Sequence, residues 1–193
     1  FFQDYVRRPA AERKPFFLAA NFDNPHNICE YARNMNLPWL RLPPPPPPEQ
    51  CPPLPANFLP ADPEPEIIRV EQAANFQLYP TAGWTEADWR RLRWAYFRLV
   101  EWVDARIGEL LDGLSAAGLA EDTLIVFTSD HGDGHGAHQW NQKSLLYEEV
   151  VRVPLIIREP GRPGGRGVPH PVSNGLDLFP TLCAYAGCPP PSD

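Results

Sequence analysis

Three of the chain's five histidines fall within eight positions in the stretch SDHGDGHGAHQWNQK (129–143), beside two aspartates, three glycines and a lysine. A run of this kind is either a polar surface loop or the floor of an active site. Asp130 offers a hard anionic oxygen and His131 an imidazole nitrogen. Adjacent residues at a strand end can both turn toward one cation where the backbone bends, and Gly132 permits that bend. A carboxylate-rich site with one nitrogen suits Ca²⁺, Mg²⁺ or Mn²⁺, and zinc less well. Two ligands do not make a site, so the others must come from elsewhere. Lys143 stands twelve residues beyond His131, past a glycine-rich turn, and can return to the same pocket. A lysine beside a divalent cation holds a tetrahedral oxyanion and stabilises the charge on it.

The elements around the loop fit that use. DTLIVFTSD (122–130) is a β-rich apolar run, and in open α/β sheets ligands bind outside the carboxyl ends of the strands. VPLIIREPG (153–161) reads as a second strand closed by Pro-Gly. KPFFLAANF (14–22) suits a strand buried on both faces, although periodicity alone leaves a helical turn open. Trp89, Leu92, Tyr96, Val100, Val103, Ile107, Leu110 and Leu114 step by three and four, which predicts one face of a long helix with its tryptophans in the core. Thr85 with Asp88 resembles a capping box at its start, and Gly118 is placed to end it. SNGLDLFPTLCAYAG (173–187) predicts a helix with Ser173 as N-cap and Gly187 as stop, Pro180 marking a kink or a late start. The order gives α/β class, with helices covering a largely parallel sheet. Residues 38–65 hold 13 of the 26 prolines, six of them consecutive at 43–48. That stretch forms neither helix nor central strand and reads as a surface insertion of polyproline II or irregular loop.

Composition bounds the rest. The chain of 193 residues is 43% hydrophobic and 21% charged, as in a globular protein with a sizeable core. No apolar run approaches the ~18 residues a bilayer-spanning helix needs. A net charge of −7 argues against nucleic acid or an anionic membrane as the main partner. Cys29, Cys51, Cys183 and Cys188 show neither CxxC nor Cys/His zinc spacing. The chain opens without Met or a signal peptide and stops just after a helix-like segment, so it reads as a piece of a longer protein.

Taken in order, PFFLAANFDNPH, VDARIGELLDGL, TLIVFTSDHG, GAHQWNQK, LYEEVVRVPLIIREPG and DLFPTLCAYAG resemble the sulfatase family of the alkaline-phosphatase-like fold. The likeness covers about 14–37 and 84–190. It implies a partial fold of that type, a largely parallel sheet flanked by helices, with residues 1–193 the C-terminal part of a catalytic domain that includes the proline-rich insertion at 38–66. The implied activity is a sulfuric ester hydrolase releasing inorganic sulfate from a small-molecule or carbohydrate sulfate ester. The resemblance makes Asp130 and His131 ligands of a divalent cation, usually Ca²⁺, and makes Lys143 and His26 (in NPH) the sulfate-pocket residues. His138 (in GAH) matches a histidine found in many members. His135 and His170 match nothing and read as solvated. Two other readings stand beside this one. A phosphodiesterase or phosphonate monoester hydrolase of the same superfamily shares the Asp-His pair and the lysine, and a non-catalytic binding remnant would keep the fold alone.

The family's nucleophile is a formylglycine made in a Cys/Ser-x-Pro-x-Arg motif. CPPLP from Cys51 and CPPPS from Cys188 have the proline, but both lack the arginine and lie after the motif's usual place. The resemblance therefore puts the formylglycine and the family's early paired aspartates upstream of Phe1, and implies that this chain by itself is inactive. It also implies a periplasmic or secreted protein. No residue here names the substrate, although NICEYARNMNLPW (27–39) is placed to contribute to specificity.

Overall fold

One helix of 31 residues organises the molecule. In the computed structural model, which describes residues 1–37 and 41–190, the elements in chain order are α1 (Phe2–Arg7), α2 (Glu66–Leu78), α3 (Glu86–Ala116), β1 (Ile125–Thr128), α4 (Glu148–Val151), β2 (Leu155–Arg158) and α5 (Leu178–Ala186). The expected capping box opens α3. The Thr85 hydroxyl accepts from the Asp88 N–H at 3.4 Å, and Asp88 Oδ2 accepts from the Thr85 N–H at 2.9 Å. Past its end Gly118 takes φ +70°, and the N–H of Leu119 returns to Leu114 O at 3.2 Å. Without a Cβ, glycine adopts that left-handed turn at no steric cost.

The buried stripe of α3 is Trp89, Leu92, Ala95 and Leu99, each no more than 2% exposed, closed by Ile28 from the 3-10 turn His26–Arg33. Tyr96 packs at the edge of this cluster as a half-buried neighbour. Val100, expected on the stripe, is 39% exposed. The face follows Leu92–Ala95–Leu99, one position back from the Tyr96–Val100 step, because small Ala95 admits the neighbouring segments. Within 27–37, Asn27, Ile28, Cys29 and Ala32 are buried as a wall of this core, while residues 33–36 are exposed. Pro38 and Trp39 of that stretch lie outside the described residues.

The proline-rich segment packs onto α3 and does not project from it as a surface insertion. Arg90 donates to Glu49 O at 3.2 Å and Cys51 O at 2.7 Å. Cys51 is buried, and Phe58 meets Trp89 edge-on at 6.0 Å. Prolines leave few N–H donors, so carbonyls of this segment find their partners in a guanidinium from the helix. Its residues Pro38 to Leu40 are outside the described set.

Both strands flanking the site loop form as expected, but the ladder between them is antiparallel, with Ile125 opposite Arg158 and Thr128 opposite Leu155. The reason is local. Gly132, just past β1, donates to Val150 O at 2.7 Å, so the chain re-enters at the end where β1 finishes. A parallel partner needs a crossover back to the other end. Parallel pairings of the expected sheet are not among the described residues. KPFFLAANF is extended but joins no ladder there, and Phe17 is 81% exposed where a buried strand was expected. The last helix takes the later start that Pro180 allowed. It runs from Leu178 with Asp177 as N-cap residue, and Gly187 ends it at φ +68°. Ser173 instead closes the preceding turn, accepting from the Leu176 N–H at 3.2 Å.

Thr85→Ala should cost about 1 kcal/mol of stability in urea denaturation, as loss of an N-cap does. The Asp88 half of the box is pH-dependent. The Thr85 hydroxyl first, then the Thr85 N–H and Arg91, hold its carboxyl below the ordinary 3.8. A depressed folded-state value stabilises above the unfolded one and is lost as pH falls through the folded one. Asp88→Asn should therefore be less stable than the parent near neutrality, and the gap should close as pH drops below 3.8. A gap that stayed constant with pH would remove the carboxylate from the account.

Candidate active site

The loop from Ser129 to Lys143 folds back on itself through its glycines. Gly134 N–H donates to Gln142 O at 3.1 Å and Gly136 N–H to Trp140 O at 2.9 Å. A Cβ at Gly132 would stand 1.9 Å from Glu149 O, and one at Gly134 would stand 2.7 Å from the Trp140 side chain. Neither position can carry a side chain, so the glycines permit close packing as well as a bend. Of the five non-glycine residues at positive φ among those described, His135, His138, Gln139 and Ser144 lie in or next to this loop. Strained backbone of this kind persists where the surroundings over-determine it, and it clusters at functional sites.

Neighbouring elements supply the determination. Trp140 and Asn141 are buried, and Asn141 Oδ1 accepts from Asn75 Nδ2 of α2 at 2.8 Å. Arg93 of α3, also buried, donates to His135 Nδ1 at 2.8 Å and His135 O at 3.0 Å. The His135 N–H donates to Asp133 Oδ1 at 2.8 Å, and the Tyr96 ring lies 4.9 Å from the imidazole. Burial, then the Arg93 charge, pull the His135 imidazole below its ordinary value, as an acceptor nitrogen facing a guanidinium requires. Burial likewise raises the Asp133 carboxyl. His135, expected to be solvated, is a tether to the long helix. His170 is exposed, as expected.

Asp130 and His131 come together at the mouth of the loop. His131 Nδ1 lies 2.8 Å from Gly132 O, and because a carbonyl only accepts, Nδ1 carries the proton there. In the neutral ring Nε2 is then a lone pair, 3.6 Å from Asp130 Oδ2. The Asp130 side chain is 85% exposed, so both acceptors face the open cleft, and a backbone-fixed tautomer is how metal-binding histidines are oriented. Partial burial acts against ionisation of Asp130, but hydrogen bonds led by the His131 N–H outweigh it and hold the carboxyl below its ordinary value. Asn174 pins the same turn, donating to Ser129 O and Asp130 O at 3.1 Å each. Among the described residues no third His, Cys, Asp or Glu joins the pair. The donor set thus fits part of a hard-cation site.

Lys143 lines the same cleft of about 520 Å³ as Asp130 and His131, with Ser144, Leu145, Leu146, Val150 and Val151. Its Nζ lies 2.5 Å from His26 Nδ1, a contact spanning 117 positions. The NPH turn is held for this by Asn27, whose amide donates to Asp23 Oδ2 at 2.9 Å and Asn24 Oδ1 at 3.1 Å. Since the ammonium only donates, His26 Nδ1 accepts and its proton sits on Nε2. One ammonium N–H is engaged and two remain.

His138 stands apart from that lining. Its ring stacks on Tyr147 at 4.1 Å and 8°, its N–H donates to Asn57 O at 2.8 Å, and Nε2 lies 3.1 Å from Asn57 Nδ2. Neither cysteine with a following Pro-Pro belongs to the cleft. Cys51 is buried against Pro46 O and Cys188 is exposed beside Cys183 O. Sequence reasoning missed Asn174, Arg93 and Asn57. Each acts on the loop from 42 or more positions away, through single contacts that leave no local pattern.

Comparison with known proteins gives the family. The sulfatase family profile matches residues 1–188. The choline-sulfatase of Rhizobium meliloti (strain 1021) is 34% identical over 178 residues, covering 91% of this chain and 32% of its own length. The solved structure of a 2-O GAG sulfatase superposes with a TM-score of 0.78 at 27% identity, over 100% of this chain and 42% of the other. The phosphonate monoester hydrolase of Agrobacterium radiobacter reaches a TM-score of 0.51 at 38% identity, over 54% of this chain and 21% of its own. The chain spans about a third of the length of the curated relatives it matches. Its fold is a partial alkaline-phosphatase-like one, and the chain belongs to the sulfatase family.

Proposed function

We propose that residues 1–193 are the C-terminal part of a sulfatase catalytic domain whose parent protein hydrolyses a sulfate ester to inorganic sulfate. The observation that carries this is Lys143 held on His26 at 2.5 Å, in the cleft that Asp130 and His131 also line. A cation donor, a neutral N–H donor and a hard-ligand pair converge there, the combination that binds a tetrahedral oxyanion. The two free N–H bonds of Lys143 and the Nε2–H of His26 hold the oxyanion and stabilise charge developing on its oxygens. His26 also orients the ammonium, so the donors are set before substrate arrives. A divalent cation, of which calcium best suits the hard donors, would be held by Asp130 Oδ2 and His131 Nε2 and would supply charge neutralisation at a sulfate oxygen. The attacking oxygen is expected from a formylglycine upstream of Phe1.

A sulfated carbohydrate is the substrate class we favour. The superposed structure at TM-score 0.78 is a GAG sulfatase, and a choline-sulfatase is among the relatives too. The second reading is a phosphonate monoester hydrolase, favoured by the 38% identity to that enzyme over 54% of this chain. Turnover of an aryl sulfate against a phenyl phosphonate monoester by the intact parent separates the two.

In the intact parent, Lys143→Ala should lose ~10²–10³ in kcat with an unchanged melting temperature, as removal of one oxyanion donor does. Arginine should rescue poorly, since a planar fork does not replace a compact point charge. Steady-state kinetics showing less than about a threefold loss, far below that range, would take Lys143 out of the site. Asp130→Ala should lower bound calcium, measured by mass spectrometry after dialysis, together with turnover. Full metal content in that variant would leave Asp130 as a loop cap only.

A further inference from the structure

Cys183 and Cys188 stand on either side of the turn that ends α5. The helix stops in a Schellman arrangement. The Gly187 N–H donates to Ala184 O at 3.2 Å and the Cys188 N–H to Cys183 O at 3.1 Å, with Gly187 at φ +68°. These two bonds fold the chain back, so that the side chain just past the glycine lies against the one five positions earlier. In most such turns that contact is apolar. Here both residues are cysteines, and both are thiols. Spacing rules for metal or disulfide motifs do not record this pair, because only the left-handed turn at Gly187 brings it together.

The sulfurs follow the backbone. Cys188 Sγ donates to Cys183 O at 3.6 Å. Burial first, then the Cys188 thiol bonded beside it, raise the Cys183 thiol above its ordinary value. Residues joined by a direct N–H···O=C bond stand at about the 4.4–6.8 Å Cα separation that a disulfide spans. Cys188 is also held from both sides. Gly187 takes its left-handed conformation without steric cost, and Pro189 confines the residue before it to extended backbone. The helix has use for such a restraint. Its nine residues bury only Cys183 among those described, while Phe179 and Tyr185 are exposed, and a helix so short is marginal without packing. It continues the segment from which Asn174 pins the Ser129 and Asp130 carbonyls.

We propose that Cys183 and Cys188 are an oxidisable pair, which a small disulfide of the glutathione class converts into a covalent clasp across the end of α5. Cys188, the exposed sulfur, attacks the oxidant as a thiolate, forms a mixed disulfide and releases one glutathione thiol. Cys183, 8% exposed, is shielded from the oxidant but not from its neighbour. It attacks the Cys188 sulfur, and the bond from Cys188 to glutathione breaks. Two protein thiols are thereby oxidised and one glutathione disulfide is reduced, and the two protons leave on the two glutathione thiols. The inference stands on this turn and is independent of the sulfatase reading.

The test uses the intact parent, equilibrated in reduced or in oxidised glutathione. Remaining thiols are alkylated and the peptide carrying both cysteines is read by mass spectrometry. In oxidised glutathione that peptide should be unalkylated and lighter by two hydrogens, and in reduced glutathione it should be doubly alkylated. Hydrogen exchange in the last turn of α5 should slow on the order of tenfold or more on oxidation, since the bridge restrains the opened chain. Cys188→Ser, at an exposed position, should leave Cys183 alkylated under both conditions and abolish the difference in exchange. Both cysteines still alkylated in oxidised glutathione would overturn the proposal. So would Cys188 carrying glutathione while Cys183 stays a thiol, or a bridge from either one to another cysteine of the parent. A bridge between the two that left exchange in α5 unchanged would remove the clasp.

Discussion

The close approach of the site loop to itself and to α4 governs everything the molecule presents in the cleft. Gly132 and Gly134 lie so near Glu149 O and Trp140 that a Cβ would stand 1.9 and 2.7 Å from them. Because those positions are closed to side chains, the backbone there is a packed surface, and its N–H groups bond directly to Val150 O and Gln142 O. The turn after β1 is thus fixed to the segment before β2. That fixing sets the antiparallel register, puts Asp130 and His131 at the strand end and returns Lys143 beside them. The left-handed residues around it follow from the same compression, since a chain reversing within so few residues must leave the right-handed region somewhere.

Compression alone would leave the loop's polar groups unpaired, and the surrounding elements answer that requirement one contact at a time. The α2 helix sends Asn75 to Asn141, α3 sends Arg93 to His135, the segment before α5 sends Asn174 to the Ser129 and Asp130 carbonyls, and the proline-rich segment sends Asn57 to His138. Each is a polar contact across the fold, where an unmade bond costs about 1–3 kcal/mol if buried. The apolar stripe of α3 supplies the platform for this, and the polar tethers choose one loop conformation on it. Burial of Trp89 and Leu92 could hold many loop shapes, but directional bonds from four separate segments admit one.

The legible part of the structure was whatever announces itself locally. The capping box at Thr85 and Asp88, the stop at Gly118, both strands around the loop and the late start of α5 follow from near-neighbour chemistry and appear where they were read. Asp130, His131 and Lys143 were legible as residue types at and beyond a strand end, and His26 by family resemblance; the first three line one cleft, with His26 in contact with Lys143. The direction of the β1–β2 ladder was not, because pairing sense depends on where the chain re-enters and not on the strands' own residues. Nor was the role of the proline-rich segment. Proline content forbids helix and sheet but says nothing about which helix a loop lies against, and Arg90 and Phe58 decide that. His135 was misjudged for the same reason. A histidine in a glycine run looks solvated until Arg93, 42 positions earlier, is placed on it.

On the proposed reading, the two halves of the site are held by different means. Lys143 and His26 satisfy one another, so their remaining donors are oriented without any ligand. Asp130 and His131 do not satisfy one another, since Oδ2 and Nε2 are both acceptors 3.6 Å apart. Their backbone is nonetheless secured, with Asn174 on the Asp130 carbonyl and the His131 N–H on Oδ1 at 2.9 Å. Only the outward oxygen and nitrogen are left without a matching partner. A cation entering between them would meet ligands already positioned and would relieve their repulsion, so binding would need little rearrangement of the loop. On that reading, the oxyanion side is preset by internal hydrogen bonding, and the cation side by two backbone-anchored side chains left facing one another across the cleft.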